Sequence, residues 1–187
     1  MVPETVQRAQ IDYSAEYLWE APADENRYEV IDGELYVTTA PDWIHQYSSS
    51  NLHLILGTHV KRHGLGYVVA APVGVVLAPR VGVQPDLVYV SNERAGIITR
   101  RGVYGVPDLV VEILSPGTEG VDRGHKMRAY AAAAVPHYWL LDPAARALEP
   151  YRLREGAYER AGVFGPGAIY RPELFPGLQI AVDEIWA

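Results

Sequence analysis

Apolar residues along this chain switch between the period of a strand and the period of a helix. Tyr28-Glu29-Val30-Ile31 and Glu34-Leu35-Tyr36-Val37 flank Asp32-Gly33, the dipeptide of a tight hairpin. Ser14 is placed to cap a short helix through Glu16, Tyr17 and Leu18. Pro41-Asp42 opens a longer helix, expected to reach about Arg62 before Gly64 and Gly66 stop it. Its apolar positions Ile44, Leu52, Ile55, Leu56 and Val60 fit helical spacing imperfectly. Period two returns at residues 67–70 and 73–77 and from Asp86 to Val90, with Gly and Pro at each junction. Residues 92–104 read as a polar connection with a helical turn. Pro107 to Leu114 is the most apolar strand.

Ser115-Pro116-Gly117-Thr118 then turns the chain, Asp122 caps a helix running to about Ala134, and Val135-Pro136 breaks it. A strand at 137–141 and a tyrosine-bearing hairpin from Leu148 to Tyr158 follow, before a tail that ends in a short acidic segment. A helix between apolar strands, with hairpins at both ends, predicts an α/β (α+β) fold: a mixed sheet with helices against it, in one domain spanning residues 1–187.

Composition narrows the chemistry. The 187 residues contain no cysteine, so disulfides, thiolate metal sites and cysteine nucleophiles are excluded. No apolar run approaches the ~18–20 residues of a membrane span. Met1-Val2-Pro3-Glu4-Thr5 lacks the basic-then-apolar pattern of a secretory leader, so the expected location is cytoplasmic. A net charge of −7 argues against a broad basic surface for duplex DNA, because non-specific affinity comes from neutralising phosphates. The local basic clusters are Arg100-Arg101 and the Arg123/Lys126/Arg128 group.

Within the most apolar strand stands an acid, Glu112, between Val111 and Ile113. A carboxylate buried there costs several kcal/mol, on the order of the Born penalty after relaxation, unless a cation or hydrogen-bond donor compensates it. Strand alternation puts Asp108, Val110, Glu112 and Leu114 on one face, and Asp86 on one face with Val88 and Val90. If the two strands are neighbours, Asp86 and Glu112 converge, and their repulsion is relieved by a hard divalent cation, Mg²⁺ or Mn²⁺. Asp108, four residues and ~13 Å from Glu112 along a strand, is too far to share that ion and reads as structural. On the following helix Asp122, Lys126, Tyr130 and Ala134 share a face. A lysine there can orient a water, stabilise charge on a phosphate or help deprotonate the water. No Gly-x-Ser-x-Gly surrounds Ser115, which reads as a turn or cap residue, and there is no Gly-rich nucleotide motif.

Several segments together resemble the Uma-two restriction endonuclease family of the PD-(D/E)XK superfamily. They are Tyr28 to Leu35, Gln84-Pro85-Asp86-Leu87, Pro107 to Pro116, Asp122 to Tyr130, Tyr138 to Pro143 and Phe175-Pro176-Gly177-Leu178. The resemblance runs from about Ser14 to the C-terminus and implies a central mixed four-stranded sheet flanked by helices. Asp86 matches the first acid of the superfamily pattern and Glu112 the second. Leu114 stands where the pattern has lysine, and Lys126 on the next helix matches the relocated lysine of this family. His45, on a helical face with Leu52 and Leu56, and Glu29 are further candidates for the site; His53, His59 and His63 are expected to be solvated.

The implied activity is Mg²⁺- or Mn²⁺-dependent hydrolysis of nucleic acid, expected to be DNA. Asp86, Glu112 and the Ile113 carbonyl would hold the ion, and Lys126 would position the water. The rival readings are a non-catalytic protein that retains the fold, and a metal-dependent phosphodiesterase acting on small phosphorylated molecules. By analogy with small nucleases a homodimer is expected, with the Tyr151/Tyr158 hairpin and the tail as contact surfaces.

Overall fold

The computed structural model describes residues 11–187. Residues 1–5, read above for a leader, lie outside the described residues. Ser14 sits at the N-cap of a 3-10 turn (Ala15–Trp19), but its side chain makes no capping bond. β1 (Arg27–Ile31) and β2 (Glu34–Thr38) form the expected hairpin, with φ of 53° at Asp32 and 84° at Gly33. Two successive residues in the left-handed region make a type I′ turn, which Asp-Gly favours because its backbone twist matches the strands. α1 (Trp43–His63) starts where the Asp42 carboxylate accepts the His45 N–H, and ends at Gly64, whose φ is 62°.

The next strands are β3 (Gly66–Ala70), β4 (Val75–Ala78), β5 (Val81–Val83), β6 (Leu87–Ser91), β7 (Val103–Tyr104) and β8 (Leu109–Ile113). Two short ones were not expected. β5 separates from the run at 73–77, and β7 lies inside the stretch read as a polar connection, after a 3-10 turn (Asn92–Ile97). A helical segment α2 (residues 119–132) combines a short α turn (Glu119–Val121), a π turn (Asp122–Lys126) and a regular α turn (Met127–Ala132). Asp122 is therefore an interior residue of a helix that begins three residues earlier, and not its cap. The chain closes with β9 (His137–Asp142), β10 (Ala147–Arg154), β11 (Ala157–Arg160), β12 (Ile169–Tyr170), β13 (Ile180–Ala181) and α3 (Asp183–Trp186).

A six-stranded sheet in the order β11-β10-β9-β8-β6-β3 forms the middle layer, so the hairpin β10–β11 extends a four-stranded core. β8 and β9 are parallel and every other neighbouring pair is antiparallel. Parallel neighbours need a crossover, and α2 supplies it. All five residues of β8 are buried, and alternation sends them to two separate cores. Leu109, Val111 and Ile113 pack with Leu52, Leu56 and Val60 of α1 and with the C-terminal Ile180, Val182 and Ile185. Val110 and Leu114 pack with Ala129 and Tyr130 of α2 and with a second, five-stranded sheet in the order β2-β1-β5-β4-β7. The second sheet brings β1 over the same face of β6 and β8 that carries the acids.

Among the described residues no helix is long and apolar enough to cross a membrane. The hydroxyls of Tyr151 and Tyr158, expected on a contact surface, turn inward to Glu149 and to the Val135 carbonyl. Both rings pack against the second core.

Candidate active site

The register β6–β8 runs Leu87↔Val111 and Val88↔Val110, so the residue before β6 lies across from Glu112. There Asp86 accepts the Ile113 N–H at 2.8 Å through Oδ2. His45 Nε2, from the first turn of α1, lies 3.2 Å from the same oxygen, and Arg27 Nη1 donates to Oδ1 at 2.9 Å. His45 Nδ1 is buried and has no partner among the described residues, which puts the proton of a neutral imidazole on Nε2, facing the carboxylate. Arg27 and Glu29 are two residues apart on β1, so alternation aims both at the acids.

Lys126 is the hub of the cluster. Its Nζ lies 2.8 Å from Glu29 Oε2, 3.2 Å from Glu112 Oε2 and 3.4 Å from Asp122 Oδ1, and its side chain is only 4% exposed. The other Glu112 oxygen accepts the Tyr130 hydroxyl at 2.6 Å, and the other Glu29 oxygen accepts the Gln84 N–H at 2.7 Å. The π turn widens the helix at Asp122–Lys126, and such turns recur at functional sites. Arg123, in the same turn, is tied down by two bonds to Glu149 at 2.7 and 3.1 Å and one to Glu119 at 3.0 Å.

These groups line a cleft of about 420 Å³ that opens between the β1–β2 hairpin, the start of α1 and the turn before α2. Ser115, Gly117 and Thr118 form part of its wall, with the Ser115 and Thr118 hydroxyls 3.0 Å apart, in keeping with a turn role.

The electrostatics are uneven. Burial raises the Asp86 carboxyl, but the hydrogen bond from His45 and the Arg27 charge outweigh it and hold the group down to about 2. Glu112 goes the other way. Burial, reinforced by the charges of Asp122, Asp86 and Glu29, lifts it well above the usual range despite Lys126. Burial likewise raises Asp122. For Lys126, burial works against the charge, yet Glu112, Glu29 and Asp122 together raise it well above a normal lysine. An ammonium held that firmly is a fixed cation and not a base, so of the three roles expected for it, proton removal from water is the one the surroundings disfavour.

Every residue singled out in the sequence reaches this cleft: Asp86, Glu112, Lys126, Glu29, His45 and Ile113. Two more, Asp122 and Arg27, line it, and Tyr130 lies buried behind Glu112. Asp122 was read as a cap, although its four-residue spacing from Lys126 already placed the two on one face. Arg27 had a signal only in its alternation with Glu29. Tyr130 stood in the helical face with Lys126 without a role. Asp108 stays apart, accepting the Ser91 N–H at 2.7 Å and facing Arg94 at 3.2 Å, which is the structural part expected of it. His53 and His59 were expected to be solvated but are half-buried, His53 against the Val68 carbonyl and His59 against Phe175.

The mixed sheet flanked by helices is a fold of the restriction-endonuclease-like class. The chain belongs to the Uma2 family, described as "Putative restriction endonuclease", whose family model matches residues 15–183. Among solved structures it is similar to a "putative nuclease belonging to DUF820" from Anabaena variabilis. That likeness has a TM-score of 0.77 at 18% identity over 93% of this chain and 97% of that one, and at such identity it speaks for the fold. No curated protein matches the chain.

Proposed function

We propose that this protein is a Mg²⁺- or Mn²⁺-dependent endonuclease that hydrolyses phosphodiester bonds of nucleic acid, with DNA as the expected substrate. One observation carries the reading. Among the described residues, four buried carboxylates, Glu29, Asp86, Glu112 and Asp122, face only two permanent cations, Lys126 and Arg27, at the wall of an open cleft. A structural ion-pair network would balance its charges, because an uncompensated buried carboxylate costs several kcal/mol, on the order of 3–5 in mutational tests. Two surplus negative charges call for two protons or one divalent ion.

The donor set fits a hard cation. Carboxylate oxygens from Asp86 and Glu112 are the preferred ligand type, and Ile113, the residue after Glu112, also lines the cleft with a carbonyl to offer. Among the described residues no three Asp, Glu or His side chains form a ready-made ligand group. An ion here would therefore complete its shell with backbone and water, as Mg²⁺ commonly does. When bound, the ion supplies Lewis acidity toward a phosphoryl oxygen and acidifies water.

The chain's own residues do the rest. His45 and the Ile113 N–H fix the Asp86 carboxylate, and Tyr130 fixes Glu112. Lys126, held charged by three acids, has one N–H not committed to a hydrogen bond, beside its longest contact at 3.4 Å to Asp122, and this one would serve the attacking water or an oxygen that gains charge in the transition state. Leu114 occupies the usual lysine position and is buried in the second core, so α2 delivers the ammonium from the side instead.

The test is cleavage of plasmid and linear DNA with Mg²⁺ or Mn²⁺. Asp86→Ala and Glu112→Ala are expected to abolish cleavage with the circular-dichroism spectrum unchanged. Cleavage by purified Glu112→Ala at the wild-type rate would remove the mechanism.

A further inference from the structure

Arg27 is out of place among the polar groups of the cleft. Asp86, Glu112, Glu29 and Lys126 have side chains 2–4% exposed, whereas that of Arg27 is 20% exposed. Of its five N–H donors one is used, in the single bond to Asp86 Oδ1 at 2.9 Å; no other hydrogen bond to the guanidinium occurs among the described residues. Its partner oxygen is also the less committed one. Oδ2 of Asp86 already faces the Ile113 N–H and His45 Nε2, whereas Oδ1 has the one bond from Arg27. A divalent ion on Oδ1 would sit beside a guanidinium of like sign, and one of the two must give way.

We propose that Arg27 is an exchangeable cation: it caps Asp86 through the bond to Oδ1, and when a divalent ion takes that oxygen it turns to grip the non-bridging oxygens of a phosphodiester in the cleft. The inference rests on the ion-dependent reading above. A guanidinium suits the second task because its planar fork matches phosphate geometry with two parallel hydrogen bonds. It suits the first because it neutralises Asp86 without coordinating it. Lys126 cannot trade places in this way, being enclosed by three carboxylates with almost no exposure. Arg27 thus sets both how tightly the cleft takes an ion and how firmly it anchors substrate.

The experiment compares wild type, Arg27→Gln and Arg27→Lys by two binding measurements that involve no turnover. Mn²⁺ binding is followed by electron paramagnetic resonance. Binding of a labelled 12-nucleotide duplex is followed by fluorescence anisotropy, with Ca²⁺ in place of the catalytic ion. Arg27→Gln is expected to bind Mn²⁺ tenfold or more tightly than wild type and the duplex tenfold or more weakly. Arg27→Lys keeps the charge but not the fork, so its Mn²⁺ affinity stays near wild type while duplex binding falls. Should Arg27→Gln fail to fold, Arg27→Met carries the exchange test in its place, with the same tighter Mn²⁺ binding expected and unchanged binding overturning it. Unchanged or weaker Mn²⁺ binding by Arg27→Gln would overturn the exchange, and unchanged duplex binding by both variants would overturn the phosphate grip. Absence of Mn²⁺ binding in wild type and variants alike would sink the ion-dependent reading itself and this inference with it.

Discussion

Replacing Glu112 by glutamine separates a catalytic acid from a structural one, because the two roles predict opposite effects on stability. In the wild type, burial and three neighbouring acids raise the Glu112 carboxyl well above the usual range. As pH climbs past the unfolded-state value, near 4.5, the unfolded chain sheds this proton while the folded chain retains it. Folding stability then falls by about 1.4 kcal/mol per pH unit until the folded group ionises as well. Glutamine has no such slope. Its amide oxygen can accept from Lys126 or from the Tyr130 hydroxyl but not from both, and Lys126 keeps Glu29 at 2.8 Å and Asp122 at 3.4 Å. The loss is about 1 kcal/mol for the one hydrogen bond given up, and the gain is relief of a desolvated charge worth several kcal/mol. In EDTA at pH 9, Glu112→Gln should therefore be more stable than wild type by about 1–3 kcal/mol, and within about 1 kcal/mol of it at pH 5. With a urea m-value of about 2 kcal/mol/M, that is a midpoint shift of about 0.5–1.5 M at pH 9, readable by tryptophan fluorescence. Mg²⁺ at a hundred times its dissociation constant should stabilise the wild type by about 2.7 kcal/mol and leave the variant unmoved. A variant less stable than wild type by about 3 kcal/mol at pH 9, the size of a broken buried ion pair, would refute the charge-surplus reasoning.

Lys126→Met should have the reverse effect. It leaves Glu29, Glu112 and Asp122 without their cation and costs about 3–5 kcal/mol at pH 8, a loss that shrinks as acidification neutralises Glu112 and Asp122, both raised by burial; a loss independent of pH in urea titrations would contradict this. Glu149→Gln addresses the π turn. The hydrogen bonds from Arg123 hold Glu149 down to about 2, against its partial burial, so its stabilisation is present above the unfolded value of about 4.5 and disappears as pH falls toward 2. The variant should lose about 1–2 kcal/mol at pH 7, converge with wild type near pH 2, and cleave more slowly because the turn that carries Lys126 loosens. Wild-type cleavage in the variant would mean that the turn holds itself.

Much of this arrangement is written locally in the chain. Alternation alone puts Asp86 on the Val88/Val90 face and Glu112 on the Val110/Leu114 face, and pairing the two strands does the rest. Asp32-Gly33 and the Asp42 cap likewise act through their own neighbours. The imperfect apolar spacing of α1 also has a local meaning in retrospect. Its buried face runs through His45, Ser48, Ser49, Leu52, Leu56 and Val60, so it is polar over the site and apolar over the core. Ile44, counted as part of the apolar stripe, is 38% exposed. What could not be read are contacts between segments far apart in the chain. Arg27 meets Asp86 across 59 residues, because the five-stranded sheet folds β1 over β6, and β1 touches β5 through the one register pair Val30↔Gly82. No local period announces such a pairing. Asp122 was misread for a different reason: an acid after a turn favours a helix cap, and here the π turn draws it inside to meet Lys126. β5 and β7 are too short to show a period at all.

The central claim is that Asp86 and Glu112 converge on one hard cation beside a fixed ammonium. Anomalous diffraction from a crystal of the wild-type protein soaked in Mn²⁺ tests it most directly. The account predicts a single peak at coordination distance, about 2.1 Å, from an oxygen of each carboxylate, with Lys126 still among its three acids. A saturating soak with no peak in the cleft, and with the Arg27–Asp86 and Lys126–Glu112 pairs intact, would contradict it.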